Sequence, residues 1–371
     1  MPMILPLFST MAGQPASPPA QLASPIATVA PYTPPPVLVV LRPSDVSCDG
    51  VPAQPVRRDP PIPEAHRIYG RDEPRPLTLR FAIDASGRPI DIAVGDRSQA
   101  SIGTDDAVPA LATWRFPAGA PRAQCTLTYS VEHLRAPDVS IADADRAFAF
   151  RRANSPDMRP FFALTIPAGS DCFKPFPAFR LRAFPDFEKM KSEPGVPSYA
   201  MVGFDIDRDG RPRNVRLIGG DRDAPIASAG LDAVRHSRFV DGARHGCALP
   251  FRQFPRDPLP APVRDPADRP PGDPSCAALG KGWASMPPLE FPQGFSRRSI
   301  EGWATVRFDV APWGQTGNVG VVQSEPAAAF GESAVGIVQM ARKPPSKLGA
   351  SGCVETVKFV MRPRGWHRGG Q

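Results

Sequence analysis

A chain of 371 residues is long enough for two to four ordinary domains, and 42% hydrophobic residues suffice for small cores. Its 50 prolines are far above the usual share and point to extended linkers. The 44 basic and 37 acidic residues leave a net charge of only +7, thinly spread and nearly all arginine, which argues against nucleic-acid and membrane-surface binding.

Near the start, Ile4–Met11 is a short apolar stretch followed by Ala12-Gly13-Gln14-Pro15-Ala16. It resembles the end of a secretory signal with its small-residue cleavage region, although no basic residue precedes it. Residues 1–36 are read as a truncated signal and a Pro-rich lead, disordered from about Pro15 to Pro36. No stretch approaches the length of a membrane span; the best candidate, Val37–Leu41, is strand-sized.

Six cysteines then divide the chain at nearly constant spacing. Cys48 and Cys125 are 77 positions apart, Cys172 and Cys247 are 75 apart, and Cys276 and Cys353 are 77 apart. Phe81, Phe204 and Phe308 follow the first cysteine of each pair by 33, 32 and 32 residues. A period shared by cysteines and core positions predicts one small unit repeated over 37–130, 160–254 and 275–362. Pro255–Pro274, with eight prolines, reads as a stiff linker before the third unit, and 363–371 as a basic tail. Six cysteines can pair in 15 ways. The repeat favours 48–125, 172–247 and 276–353 in an oxidising compartment, with free buried thiols as the alternative. Each such loop would add about 4 kcal/mol at most in the chain-entropy model.

Within each unit the signals recur in order. The first has Phe81 and Ile83, the turn Ser86-Gly87-Arg88-Pro89, Ile92 and Val94, a helix through Leu111 and Trp114, and Cys125-x-Leu127-x-Tyr129. The second has Val202, Phe204 and Ile206 as a half-buried strand, Asp209-Gly210 as its turn, Val215 and Leu217 on the return, a helix over Pro225–Phe239, and a final strand from Cys247 to Phe254. The third repeats this with Val306, Phe308 and Val310, Gly314, Asn318-Val319, Val335 and Val338, and Cys353–Met361. Phe161–Ile166 precedes Cys172 much as Val37–Leu41 precedes Cys48, and both are read as leading strands. The predicted fold is α+β: three tandem small domains, each an antiparallel three-stranded sheet with a helix packed on one face and one disulfide. Each bridge should tie a proline-rich leading arm to the last strand of its sheet.

Chemistry has little to stand on. His66, His133, His236, His245 and His367 show no metal-ligand spacing, and His236 and His245 are placed on a helix surface and a loop. No nucleophile elbow or phosphate loop is present. Asp84, Asp207 and Asp209 are read as turn-formers, and Trp114 and Trp303 as core or edge aromatics. No catalytic, cofactor or metal role is predicted.

The third unit resembles the C-terminal domain of TonB, the periplasmic coupler of inner-membrane energy to outer-membrane receptors. The likeness runs from Phe291-Pro292 and Ile300-Glu301-Gly302 through Val306-Arg307-Phe308-Asp309-Val310, Gly314, Asn318-Val319, Pro326-Ala327 and Phe330 to Arg342, Pro345 and Gly352. Trp114-Arg115-Phe116-Pro117 and Leu231-Asp232-Ala233-Val234 echo it in the other two units. The resemblance implies binding by strand addition at a sheet edge. Here the candidates are Leu249–Phe254 and Val354–Met361, with Val354, Thr356, Lys358 and Val360 facing the partner. The alternative is that arms or neighbouring units cover these edges. The membrane helix and charged spacer of a TonB transducer are absent from the residues given. The expectation is a periplasmic protein-binding module that pairs with extended segments of outer-membrane receptors, as in TonB-dependent transport. A scaffolding role in the cell envelope is the alternative.

Overall fold

The computed structural model describes residues 32–70, 73–96, 102–150, 155–240, 242–263, 270–280 and 282–361. The signal-like stretch Ile4–Met11, most of the lead and the basic tail lie outside the described residues.

The first segment begins with β1 (Pro36–Pro43), β2 (Val46–Cys48), β3 (Val51–Ala53) and β4 (Glu64–Arg67). The alternating run Leu77, Leu79, Phe81, Ile83 then makes β5 (Leu77–Ile83), which turns into β6 (Pro89–Val94). Helix α1 (Ala107–Thr113) and β7 (Arg122–Leu134) complete it. β7 pairs antiparallel with β5 on one side and with β1 and β2 on the other. The expected three strands are therefore part of a seven-stranded sheet. Val37–Leu41 does form a strand, but it adds to the outer edge of the last strand.

Between the first and second cysteine segments lies α2 (Ile141–Phe150), then α3 (Arg159–Phe162). Phe161–Ile166, expected as a strand, is helical. Pro160 suits the first turn of a helix, and Phe161 and Thr165, four apart, both turn inward. The second segment continues with β8 (Phe179–Leu181), β9 (Ser198–Ile206), β10 (Pro212–Gly220), α4 (Pro225–His236), β11 (Arg238–Phe239) and β12 (Arg244–Gln253). Its sheet order is β10-β9-β12. The half-buried strand expected at Val202–Ile206 is buried on both faces. Val202 and Phe204 pack with Val234 of α4, while Tyr199 and Met201 pack with Ala147 and Phe148 of α2.

The third segment holds α5 (Gln293–Arg297), β13 (Gly302–Val310), β14 (Thr316–Glu325), α6 (Ala328–Met340) and β15 (Ala350–Phe359), in the order β14-β13-β15. The whole is α+β with antiparallel sheets, and the bridges are 48–125, 172–247 and 276–353. Among the described residues no helix is long and apolar enough to cross a membrane.

One local device recurs. Gly87, Gly210 and Gly314 turn the three hairpins at φ of +83°, +74° and +89°. Each carbonyl accepts the backbone N–H that follows the helix, from Phe116, Phe239 and Lys343 at 2.9, 2.8 and 2.9 Å. A Cβ at these glycines would lie 2.0, 2.2 and 2.0 Å from those residues' carbonyl oxygens. The turn and the post-helix chain are thus locked backbone to backbone.

The hydrophobic core does not divide along the cysteine segments. Leu79, Phe81 and Trp114 belong to the same cluster as Phe295, Phe308 and Phe330. Ile92 donates to the Pro326 carbonyl at 2.9 Å across this junction. Fully buried Arg298 donates to Asp106 at 2.8 and 2.6 Å and also pairs with Asp59, which Arg146 of α2 reaches at 3.3 Å. The first part of the Pro-rich linker is anchored: Leu259 donates to Ser299, Glu301 donates to Leu259, and Trp303 donates to Pro262.

Candidate partner-binding edge

The residues three places after the second cysteine of each pair are Thr128, Pro250 and Thr356. They occupy one geometric position, opposite Thr78, Met201 and Thr305, each three residues before its hairpin phenylalanine. Their backbone orientation follows from three separate observations. Thr128 donates to Ser44 Oγ at 3.2 Å and accepts from Ser44 N at 2.8 Å, on the side away from β5. The hydroxyls of Thr305 and Thr356 approach to 3.2 Å, as side chains do in pairs that exchange no backbone hydrogen bond. Pro250 has no N–H and fits a ladder only with its nitrogen turned outward. In each last strand, this residue and its alternate neighbours present their backbone outward.

The three outer edges differ in what meets them. β7 is filled by the chain's own arm: β1 pairs from Leu38↔Leu134 to Pro43↔Tyr129, and β2 adds Ser47↔Thr126 and Cys48↔Cys125. β12 carries Pro250 at its centre. Across a cavity of about 280 Å³ stand Phe184, Pro185 and Phe187 of the leading arm. β15 has no strand on its outer side among the described residues. Among the described residues its arm meets the start of the strand, where Asp273 donates to Gly352 at 3.3 Å.

Of the candidate edge residues, Val354, Thr356 and Lys358 lie on β15, at alternate positions of its ladder with β13. Val360 lies just past the strand end and is 58% exposed, so the ladder stops at Phe359. Opposite Val354 stands exposed Arg307, and opposite Lys358 stands Trp303. The start of the strand is fixed by Asp309, which accepts from Gly352 N at 2.8 Å and Asn318 Nδ2 at 2.7 Å. The Asn318 amide, then the Gly352 N–H, hold the Asp309 carboxyl below the usual carboxylate range. Asp205, Gly246 and Asn214 repeat this arrangement in the second segment.

The other residues singled out by sequence take structural places. Asp84 and Asp207 each cap their own hairpin turn, and Asp209 donates its N–H to Asp207. Trp114 is fully buried and Trp303 nearly so. His236 ends α4, whereas His245 lies on β12 rather than in a loop. The role of Pro250 went unnoticed in the sequence because its orientation depends on a pairing made 49 residues away, at Met201.

No curated protein matches the chain. Residues 287–361 match the family model of the Gram-negative bacterial TonB protein C-terminal, a span that includes all of α5, β13, β14, α6 and β15. That family belongs to the Gram-negative envelope, and three disulfides fit an exported chain. The third cysteine segment thus carries a protein-interaction module of the TonB C-terminal type.

Proposed function

We propose that this is a periplasmic protein built from three divergent copies of a TonB-C-like unit, spanning 37–130, 160–254 and 275–362. Its third copy captures an extended segment of a partner by strand addition to β15. The observation that carries the reading is the regular run Cys353–Phe359, which lies within the family match and bears no strand on its outer side among the described residues. An added strand needs only alternating donors and acceptors along an edge, which this run supplies. The partner class consistent with the family is the periplasmic segment of an outer-membrane receptor, and transport is the process it would serve. The role is binding, without catalysis, metal or cofactor.

A scaffolding reading in the cell envelope draws on a different observation. The buried Arg298–Asp59–Asp106 cluster and the shared core join the first and third segments, as a spacer of fixed shape would require. Titration of the full chain with receptor-derived peptides separates the two. Strand addition expects backbone amide shifts confined to 354–359. Scaffolding expects none.

A further inference from the structure

We propose that Arg57, Arg88 and Arg115 form a binding site for a phosphate group, free or carried on a larger partner, at the hairpin end of the first segment. The site is independent of strand addition and uses no residue of β15. Backbone bonds bring the three arginines together. Arg57 and Arg115 face each other as an antiparallel bridge, Arg57 donating to Arg115 at 3.2 Å and Arg115 to Arg57 at 3.1 Å. Directly opposed residues project to the same side. The next residue, Phe116, donates to Gly87 at 2.9 Å, which sets Arg88 beside them.

Their charge is only partly balanced. Arg57 Nη1 pairs with half-exposed Glu193 of the second segment's arm, and its Nη2 donates to the Thr113 carbonyl at 2.7 Å. Arg115 Nη1 donates to the carbonyls of Trp114 at 2.6 Å and Thr113 at 3.2 Å, at the end of α1. Arg88 Nη2 donates to the Pro260 carbonyl at 2.8 Å. Arg88 and Arg115 make no ion pair among the described residues. Asp84 and Glu325 lie near enough to act on Arg88, but neither is bonded to its guanidinium. One oxygen of Asp84 is taken by its own turn, accepting from Ser86 N, Ser86 Oγ and Arg88 N.

The imbalance is visible in the arginines themselves. Burial, then the charges of Arg88 and Arg57, push the Arg115 guanidinium down to about 10. Burial lowers Arg57 and Arg88 as well. Arg298 is the contrast: burial opposes its charge, yet Asp106 and Asp59 outweigh burial and raise it. The chain thus neutralises one buried arginine fully and leaves three neighbouring ones short of negative charge.

The unfilled donors define the ligand. Arg57 Nε and Arg88 Nε are buried and have no hydrogen-bond partner, a costly state for a donor. Arg88 Nη1 and Arg115 Nη2 bond no protein atom among the described residues. The planar fork of a guanidinium matches the oxygens of phosphate and carboxylate alike. Charge separates the two. Two arginines without an ion pair call for more than the single charge of a carboxylate, and a phosphate monoester carries about −1.5 to −2 at pH 7. Glu193 is the cluster's internal oxyanion, so the ligand and Glu193 compete for Arg57.

The test uses the full oxidised chain, with inorganic phosphate and glycerol 3-phosphate as probes and chloride at equal ionic strength as control. Calorimetry reads binding and thermal melts read the linked stabilisation. Both probes should bind and raise the thermal midpoint beyond the chloride value. Tighter binding of the ester points to a phosphorylated partner and tighter binding of inorganic phosphate to the free ion; each supports the site. Arg88→Gln should weaken phosphate binding about tenfold or more, as loss of a charge-assisted donor implies. Glu193→Gln removes the competing carboxylate and should tighten binding about threefold or more at low salt. A merely structural role for the arginines, closing the end of α1, predicts no such gain. Should Arg88→Gln fail to fold, the surface variant Glu193→Gln still decides the matter. Midpoints no higher in phosphate than in chloride, with no heat of binding, overturn the site. Unchanged phosphate affinity in Arg88→Gln or in Glu193→Gln overturns its assignment to this cluster.

Discussion

Phe308 stands directly opposite Cys353 across the β13–β15 ladder, and the same pairing joins Phe81 to Cys125 and Phe204 to Cys247. Directly opposed residues share one face of a sheet, so each bridge enters the helix-covered side beside the hairpin's buried ring. The common period of cysteine and phenylalanine in the sequence is therefore the trace of one repeated contact. The leading arm is fastened beside a buried ring of its own sheet.

That placement predicts unequal bridges. Replacing a native disulfide pair by serine generally costs about 2–5 kcal/mol. The Cys48 arm is also held by ladder pairs between β2 and β7. Among the described residues, the arm of Cys276 forms no ladder with β15 and bonds it through Asp273 and Gly352. Urea unfolding of the Cys48/Cys125→Ser and Cys276/Cys353→Ser double variants should show the smaller loss for the first pair. Equal losses would mean that the strand pairing contributes nothing to holding the first arm.

The hairpin glycines are predicted to tolerate no side chain. At Gly314, positive φ alone disfavours alanine, and its Cβ would lie 2.0 Å from the Lys343 carbonyl oxygen, a backbone atom that cannot rotate away. Gly314→Ala should lose about 2 kcal/mol or more. Gly317 offers a control, because nothing lies within 4 Å of a Cβ there. A Gly314→Ala variant as stable as Gly317→Ala in thermal melts would refute the locked turn.

The features legible in sequence are those set by local chemistry. Alternation marked β5, β9 and β13, glycine marked their turns, and matched spacing picked one of the 15 possible cysteine pairings. What stayed hidden depends on contacts distant in sequence. Val37–Leu41 reads as a strand, but its partner Val131–Leu134 lies 90 to 96 residues on, pair by pair. α2 was missed because its apolar face, Ala144, Ala147 and Phe148, is short and alanine-rich, and it gains meaning only against the second face of β9. Phe161–Ile166 has aromatic and β-branched character, yet packing into a cluster with Met158 and Phe148 favoured a helix. The candidate edge at Val354–Lys358 is proposed from family likeness. The outward turn of Pro250 on β12 needed the register.

Arg298 makes the sharpest prediction about the junction. It is wholly buried and balances two buried carboxylates from the first segment, Asp59 and Asp106. Arg298→Leu strands both acids in a dry environment and should cost about 3–5 kcal/mol. The triple variant Arg298→Leu, Asp59→Asn, Asp106→Asn removes the charges together and should recover part of that loss. Chemical denaturation reads both. A triple variant less stable than Arg298→Leu alone would show that the acids are held mainly by other partners.

Two further buried acids set a pH dependence of definite sign. Burial, opposed in part by the Asp91 N–H at 2.9 Å, pushes the Glu325 carboxyl up to about 7; Asp91 and Asp84 add to the rise and Arg88 opposes it. Burial also pushes Asp145, on the face of α2 beside Gly219, up to about 6. Both folded values lie above the ordinary carboxylate range, so the folded state favours the protonated forms. Their contribution to stability is full below the unfolded values and is lost as pH rises through about 6 and then 7. Asp309 works in the opposite sense, since its lowered value makes stability fall as acid protonates it. Thermal midpoints should therefore decline from about pH 5 to about pH 8, and the Glu325→Gln, Asp145→Asn double variant should flatten that limb while leaving the acid limb in place. Glutamine keeps an acceptor for the Asp91 N–H, so the variant isolates charge from hydrogen bonding. Parallel curves for wild type and double variant above about pH 5 would show that neither acid changes its proton occupancy on folding.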